Sequence, residues 1–218
     1  MSGNEMVPWG TAIVGDVLSA FNLPGGSFVS KLGDKYLERK QKEAAEILIE
    51  EVAKGSPEPI DFTGSGADPL IEIIYRFLKA AADGAARENL RLLAQVIAGL
   101  KKNKALEPDK FRKWANILEQ LTRDELLVIG KAIAIKRKMA SEGVAFIPND
   151  FSNHLRSDLI ASGYQATVID PLCASLGRTG LFLGASGYGG VMVYLPMPWL
   201  DELGTLADVE SVANAKGN

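Results

Sequence analysis

From Asp68 to Ala140 one pattern recurs: an apolar stripe at helical spacing, opened by a capping or proline signal and closed by polar residues. Asp68-Pro69 offers an N-cap followed by proline at the first helical position, where the missing N–H costs nothing. Leu70, Ile73, Ile74, Phe77, Leu78 and Ala81 then line one face, and Ala86, Leu90, Leu93, Ala94, Ile97 and Leu100 line the face of a second helix. Pro108 opens a third, with Phe111, Trp114, Ala115, Leu118 and Leu121 inward. Thr122 and Glu125 have capping-box spacing, so a fourth helix starts near Arg123 and runs to about Ala140. Four amphipathic helices with short connections predict antiparallel neighbours around one core. The chain is thus expected to be mainly α, with a helical bundle over residues 68–140.

The flanks differ from this bundle. Trp9 to Phe21 is apolar almost throughout, with Asp16 as its one charge, and such a helix needs a cover. Pro24-Gly25-Gly26 turns the chain into a helix bearing Val29, Leu32, Tyr36, Ala44, Ile47, Leu48 and Val52, with Lys31, Lys35, Arg39, Lys40 and Lys42 crowded into its first half. The expected arrangement is a hydrophobic helical hairpin over 1–54, tied to the bundle by a Pro/Gly/Ser linker over 55–67. Trp9, Ile13, Val17, Phe21, Lys35 and Arg39 are the candidate contact residues, facing a protein partner, a second copy of the chain or an anionic membrane surface. Interleaved Asp34, Glu38, Glu43 and Glu46 favour a solvated face with i,i+4 pairs, and so a protein cover over a lipid one. Thirteen residues are too few to span a bilayer. With Glu5 and no base before Lys31, the N-terminus lacks the basic region of a secretory signal, so a cytoplasmic chain is expected, at most peripheral to a membrane.

The last seventy residues change character. A helix is predicted from Asp150 to Ser162, and a second Asp-Pro pair, Asp170-Pro171, starts a shorter one ending at Arg178-Thr179-Gly180. Thr179 to Leu200 is uncharged over 22 residues, but five glycines and two prolines argue against a membrane span. Leu181 to Leu183 and Val191 to Leu195 read as strands around the Gly184–Gly190 turn, and Trp199 to Val209 as a closing helix. Three helices and a two-stranded wing are the order of a winged-helix-like α+β module over 123–212, sharing the helix from 123, with a tail over 213–218.

Composition removes much chemistry. One Cys and one His exclude an intrachain disulfide and any site of several Cys/His ligands; an all-carboxylate metal site and catalysis by carboxylates or Lys survive that count, but neither metal nor cofactor is expected. His154 stands four residues from both Asp150 and Asp158, as in a triad, yet no nucleophile elbow accompanies it; a helix-surface His is the expectation. Cys173, among Leu172, Ala174 and Leu176, reads as a small buried hydrophobe. Gly184 to Gly190 lacks the Lys-Ser/Thr ending of a phosphate loop. Glu43, Glu46, Glu50 and Glu51 are expected on a solvated face. No constellation supports an enzyme.

Nucleic acid is the competing partner, as a winged-helix regulator. Its candidates are Lys131, Lys136, Arg137 and Lys138 on the bundle and Arg178 on the recognition helix, with a further basic cluster from Lys101 to Lys113. The net charge of −3 divides into +1 over residues 1–149 and −4 over 150–218, where Arg156, Arg178 and Lys216 face seven acids. Phosphate neutralisation supplies most affinity for DNA, so an acidic module is poorly equipped, and protein contact is the expected use of the wing.

RENLRLLAQVIAGL (Arg87 to Leu100), EPDKFRKWANILEQLTRDELLVI (Glu107 to Ile129), the GLF strand from Gly180 and the hydrophobic wing together resemble the bacterial abortive-infection alpha-type helical proteins. The PGG corner and the charged helix to Lys54 are similar to segments preceding that domain. The resemblance covers about half the chain. It implies an all-helical fold and a prophage or anti-phage defence setting, and carries over no catalytic residue.

Overall fold

The computed structural model describes residues 28–55, 67–187 and 190–215. Among these the chain is mainly helical, with nine α-helices and one two-stranded antiparallel sheet near the C-terminus. It forms two compact units, one ending at Glu119 and the other beginning at Gln120. The apolar segment from Trp9 to Phe21 and most of the 55–67 linker lie outside the described residues.

The first unit holds α1 (Phe28–Gly55), α2 (Ala67–Ala82), α3 (Arg87–Lys102) and α4 (Pro108–Leu118). α2 begins at Ala67, two residues before the expected proline start. Its stripe from Leu70 to Ala81 is buried as the spacing predicts, as are Phe111, Trp114, Ala115, Leu118 and Leu121. α3 is the central helix, packed by α1, α2 and α4. Burial therefore extends off its predicted stripe to Leu92 and Val96, while Ala86 is an exposed N-cap rather than a core residue. Buried Asn89 donates its side-chain amide to the Leu118 carbonyl at 2.8 Å, satisfying an acceptor at the end of α4 that no helical N–H reaches.

Of the four carboxylates expected on a solvated face of α1, Glu46 and Glu50 are exposed and Glu43 is half-buried, whereas Glu51 departs from that expectation. Glu51 is 6% exposed and accepts from Lys54 at 3.1 Å and from Gln95 at 3.0 Å, with the Arg91 Nε at 3.4 Å. Glu50 and Glu43 lie 3.3 and 3.7 Å from Arg91 and Arg87. Arginines on α3 thus turn one acidic edge into an interhelix seam. A buried carboxylate is tolerable only when such partners replace its water.

The second unit is built on α5 (Arg123–Ser141), against which α6 (Pro148–Ala161), α7 (Ala166–Ser175), α8 (Pro198–Leu206) and α9 (Val209–Asn214) pack. α5 starts with the predicted capping box: Glu125 N–H donates to Thr122 Oγ1, and Glu125 accepts from Thr122 N–H at 2.9 Å. Asp170-Pro171 does not start α7, which begins four residues earlier at Ala166 and carries Pro171 inside. The carbonyl that this proline leaves without a helical donor belongs to Thr167, which is exposed, so the break in the ladder is carried on the solvent side. The expected closing helix is two: Ala207 is extended, and the Asp208 carboxylate caps α9 by accepting from Ser211 N–H.

A 3-10 turn (Leu176–Thr179) leads through Gly180 into β1 (Phe182–Ser186), which pairs with β2 (Met192–Pro196) in the register Phe182↔Pro196 to Ser186↔Met192. Gly180 has φ +72°, and a Cβ there would lie 2.9 Å from the Trp199 ring, so conformation and close approach both demand glycine.

Candidate functional site

The second unit places a polar knot under the hairpin. Arg178 donates from Nη2 to Glu125 Oε2 at 2.9 Å and from Nη1 to Oε1 at 2.5 Å, and its Nη1 also donates to the Ser175 carbonyl. Ser175 Oγ donates to the same carboxylate at 2.6 Å. These donors outweigh the burial that would favour the neutral acid, and Arg178 above all holds the Glu125 carboxyl down at about 2. Nearby, Arg156 is ion-paired with Asp170, whose carbonyl accepts from Tyr194 Oη at 2.9 Å. Ser152 Oγ accepts from Tyr194 N–H at 2.9 Å, fastening β2 to α6. The hairpin is held from both ends.

Above this support lies a concentration of exposed apolar side chains. Val144, Phe146 and Ile147, in the loop before α6, are 51%, 46% and 49% exposed, and Val191 at the start of β2 is 53% exposed. The hairpin end approaches the start of α6, which follows that loop: a Cβ on Gly187 would sit 3.4 Å from Asn149 Oδ1, and Gly187 N–H donates to the Val191 carbonyl at 2.7 Å within the hairpin. Leu183 and Met192, on opposite faces of the hairpin, are also exposed.

The candidate nucleic-acid residues are not gathered into one cationic face. Arg178 is engaged by Glu125. Lys136 lies 2.6 Å from the Asp201 carboxylate and 5.9 Å from the Phe146 ring centroid. Arg137 donates to the Gly204 carbonyl on α8. Lys131 is half-buried and Lys138 exposed.

No protein-family model, curated protein or solved structure matches this chain.

The remaining sequence candidates take plain structural places. His154 is exposed, and its Nδ1 is 2.8 Å from the Asp150 backbone carbonyl, an acceptor only, so that nitrogen carries the proton and the Asp150 carboxylate does not orient the ring. Cys173 is buried, and burial, with Asp170 adding, pushes its thiol up to about 12, which leaves almost no thiolate at neutral pH. Among the described residues no group of three or more Cys, His, Asp or Glu could hold a metal ion, and no helix is long and apolar enough to cross a membrane. Of the N-terminal candidates, Trp9, Ile13, Val17 and Phe21 lie outside the described residues, and Lys35 and Arg39 are exposed on α1.

Proposed function

We propose that this chain is a non-enzymatic interaction protein whose second unit, a winged-helix-like module, docks a protein partner through its hairpin and the loop beside it. The supporting observation is the apolar stretch of Val144, Phe146, Ile147 and Val191, about half exposed in side chains that ordinarily seek burial. The internal commitment of Arg178 supports protein contact over the alternative, a nucleic-acid-binding regulator, because this cation, which lies on the 3-10 turn after α7 and not on the expected recognition helix itself, is already neutralised. The resemblance of Arg87 to Ile129 to the abortive-infection alpha-type proteins supplies the setting in this reading: a component of phage defence or of a prophage.

The test is comparative cross-linking in cell extract, using the full chain and a Phe146→Asp/Val191→Asp variant. Both positions are exposed, so the fold should persist, and the discrete adducts of the parent should fall at least tenfold. Adducts that survive unchanged would overturn the docking surface. In parallel, a duplex mobility shift at low salt should be absent. A shift abolished by Lys131, Lys136, Arg137 and Lys138→Glu would establish the regulator instead.

A further inference from the structure

α1 is divided in both packing and charge, and the two divisions coincide. Its 28 residues extend about 42 Å, against about 24 Å for the 16-residue α2 and α3 on which it packs. Among its described side chains, burial begins at Ala44 and continues through Ala45, Ile47 and Glu51. Before that point Lys35, Tyr36, Leu37, Arg39 and Lys42 are all exposed. Residues 28–42 hold five bases against Asp34 and Glu38, a net +3, whereas residues 43–55 hold Lys54 against four glutamates, a net −3. The acidic half is the one seamed to α3 through Arg87 and Arg91. The basic half reaches past that seam.

The exposed bases are ordered. Lys35, Arg39 and Lys42 recur at i, i+4 and i+7, a strip that helical geometry turns away from the side bearing Ala44, Ile47 and Glu51. Tyr36 and Leu37 stand within this basic stretch at 47% and 40% exposure, and the Arg39 guanidinium lies 5.5 Å from the Tyr36 ring centroid. In sequence Val29, Leu32 and Tyr36 share the i, i+3, i+7 spacing of one strip, and residues 6–24 before the PGG corner carry only Asp16. A phosphate backbone would answer the bases and leave the Tyr36 strip, which stands beside them on the helix, in water. The headgroup zone of an anionic membrane answers both, since apolar side chains enter the acyl boundary while long basic ones reach the phosphates.

We propose that the projecting basic half of α1, residues 28–42, docks on an anionic lipid surface. This goes beyond the docking role of the second unit and does not depend on it. The experiment is flotation of the full chain with phosphatidylcholine vesicles containing about one-third phosphatidylglycerol, and with pure phosphatidylcholine vesicles, at low and high salt. The chain is expected to float with the anionic vesicles at low salt, and weakly with the neutral ones. Each base near such a surface is worth about fivefold, so Lys35→Glu/Arg39→Glu, which takes the segment from +3 to −1, should weaken binding at least about fiftyfold. Tyr36→Asn should weaken it severalfold with charge unchanged, and unchanged circular dichroism would confirm that both variants fold. The Phe146→Asp/Val191→Asp variant should float like the parent, so this reading and the docking reading fail separately. Absence of flotation with anionic vesicles at low salt would overturn the proposal. So would equal flotation of the charge-reversed variant, or a duplex-binding activity lost in that variant while flotation is retained.

Discussion

Replacing Arg178 with alanine is expected to destabilise the second unit by about 3 kcal/mol, more than replacing its buried partner. Glu125 is 3% exposed, and without Arg178 its charge stays in place with the Ser175 hydroxyl and the N–H and hydroxyl of Thr122 to hold it, and no cation. Glu125→Gln is gentler, at about 1 kcal/mol, because glutamine can still complete the capping box and the half-exposed Arg178 regains water. The pH dependence follows from the same pair. The carboxyl binds its proton less readily in the folded chain, at about 2, than at its ordinary 4.5, so its contribution is complete above 4.5 and is lost as pH falls through that window towards 2. Urea midpoints between pH 6 and pH 2.5 should fall steeply for the parent and less steeply for Glu125→Gln. Equal slopes, or Glu125→Gln the less stable of the two variants at neutral pH, would show that the pair does not hold the hairpin down.

Gly130 gives the second large effect. A Cβ there would stand 3.0 Å from the Glu210 Cα, 3.3 Å from its nitrogen and 3.5 Å from the Val209 carbonyl oxygen, all main chain. Main chain cannot rotate aside as a side chain can, so α9 must move bodily. Alanine recovers about 0.8 kcal/mol of helix propensity and loses more to this overlap, for a net cost of about 1–2 kcal/mol. Gly130→Val, larger and β-branched, should cost about 3–4 kcal/mol and uncover Val209, Val212 and Ala213. Thermal melts and chymotryptic cleavage after Leu203 or Leu206, just before α9, would read both effects. Gly177→Ala is the control, since nothing lies within 4 Å of its would-be Cβ. A stable Gly130→Val chain with an uncleaved C-terminus would mean that α9 does not depend on the close approach.

Much of the helical content was legible because its causes are local. The capping box at Thr122 and Glu125 needs three residues of separation and nothing else, and the stripes of α2 and α4 need only periodicity. The misreadings have non-local causes. Asp170-Pro171 is an N-terminal signal by composition, but Ile169 and Cys173, buried on either side of it, keep α7 helical from Ala166. Glu51 resembles its solvated neighbours until Arg91 and Gln95, forty and forty-four residues on, reach it. Glu125 reads as a cap, and nothing near it announces a second partner 53 residues away. The same pairing withdraws Arg178 from the cations that composition offers to nucleic acid. The docking surface was only partly legible: Val191 belongs to a predicted strand, but the approach of the hairpin end to Asn149, close in sequence to Phe146 and Ile147, depends on where the hairpin comes to rest.

The long helix α1 carries a further consequence, for hydrogen exchange. An isolated helix of about fifteen residues is marginal in water, because forming its first turn is costly while extending an existing one is not. In α1 the turns around Ala44, Ile47 and Glu51 are fixed by burial and can serve as the nucleus from which residues 35–42 propagate. Amides from Ala44 to Val52 should therefore exchange slowly and those before Lys42 progressively faster towards Phe28, with no sharp boundary. A surface that binds the basic half should lengthen the protected stretch one turn at a time, so that occupancy is recorded as a count of slowed amides.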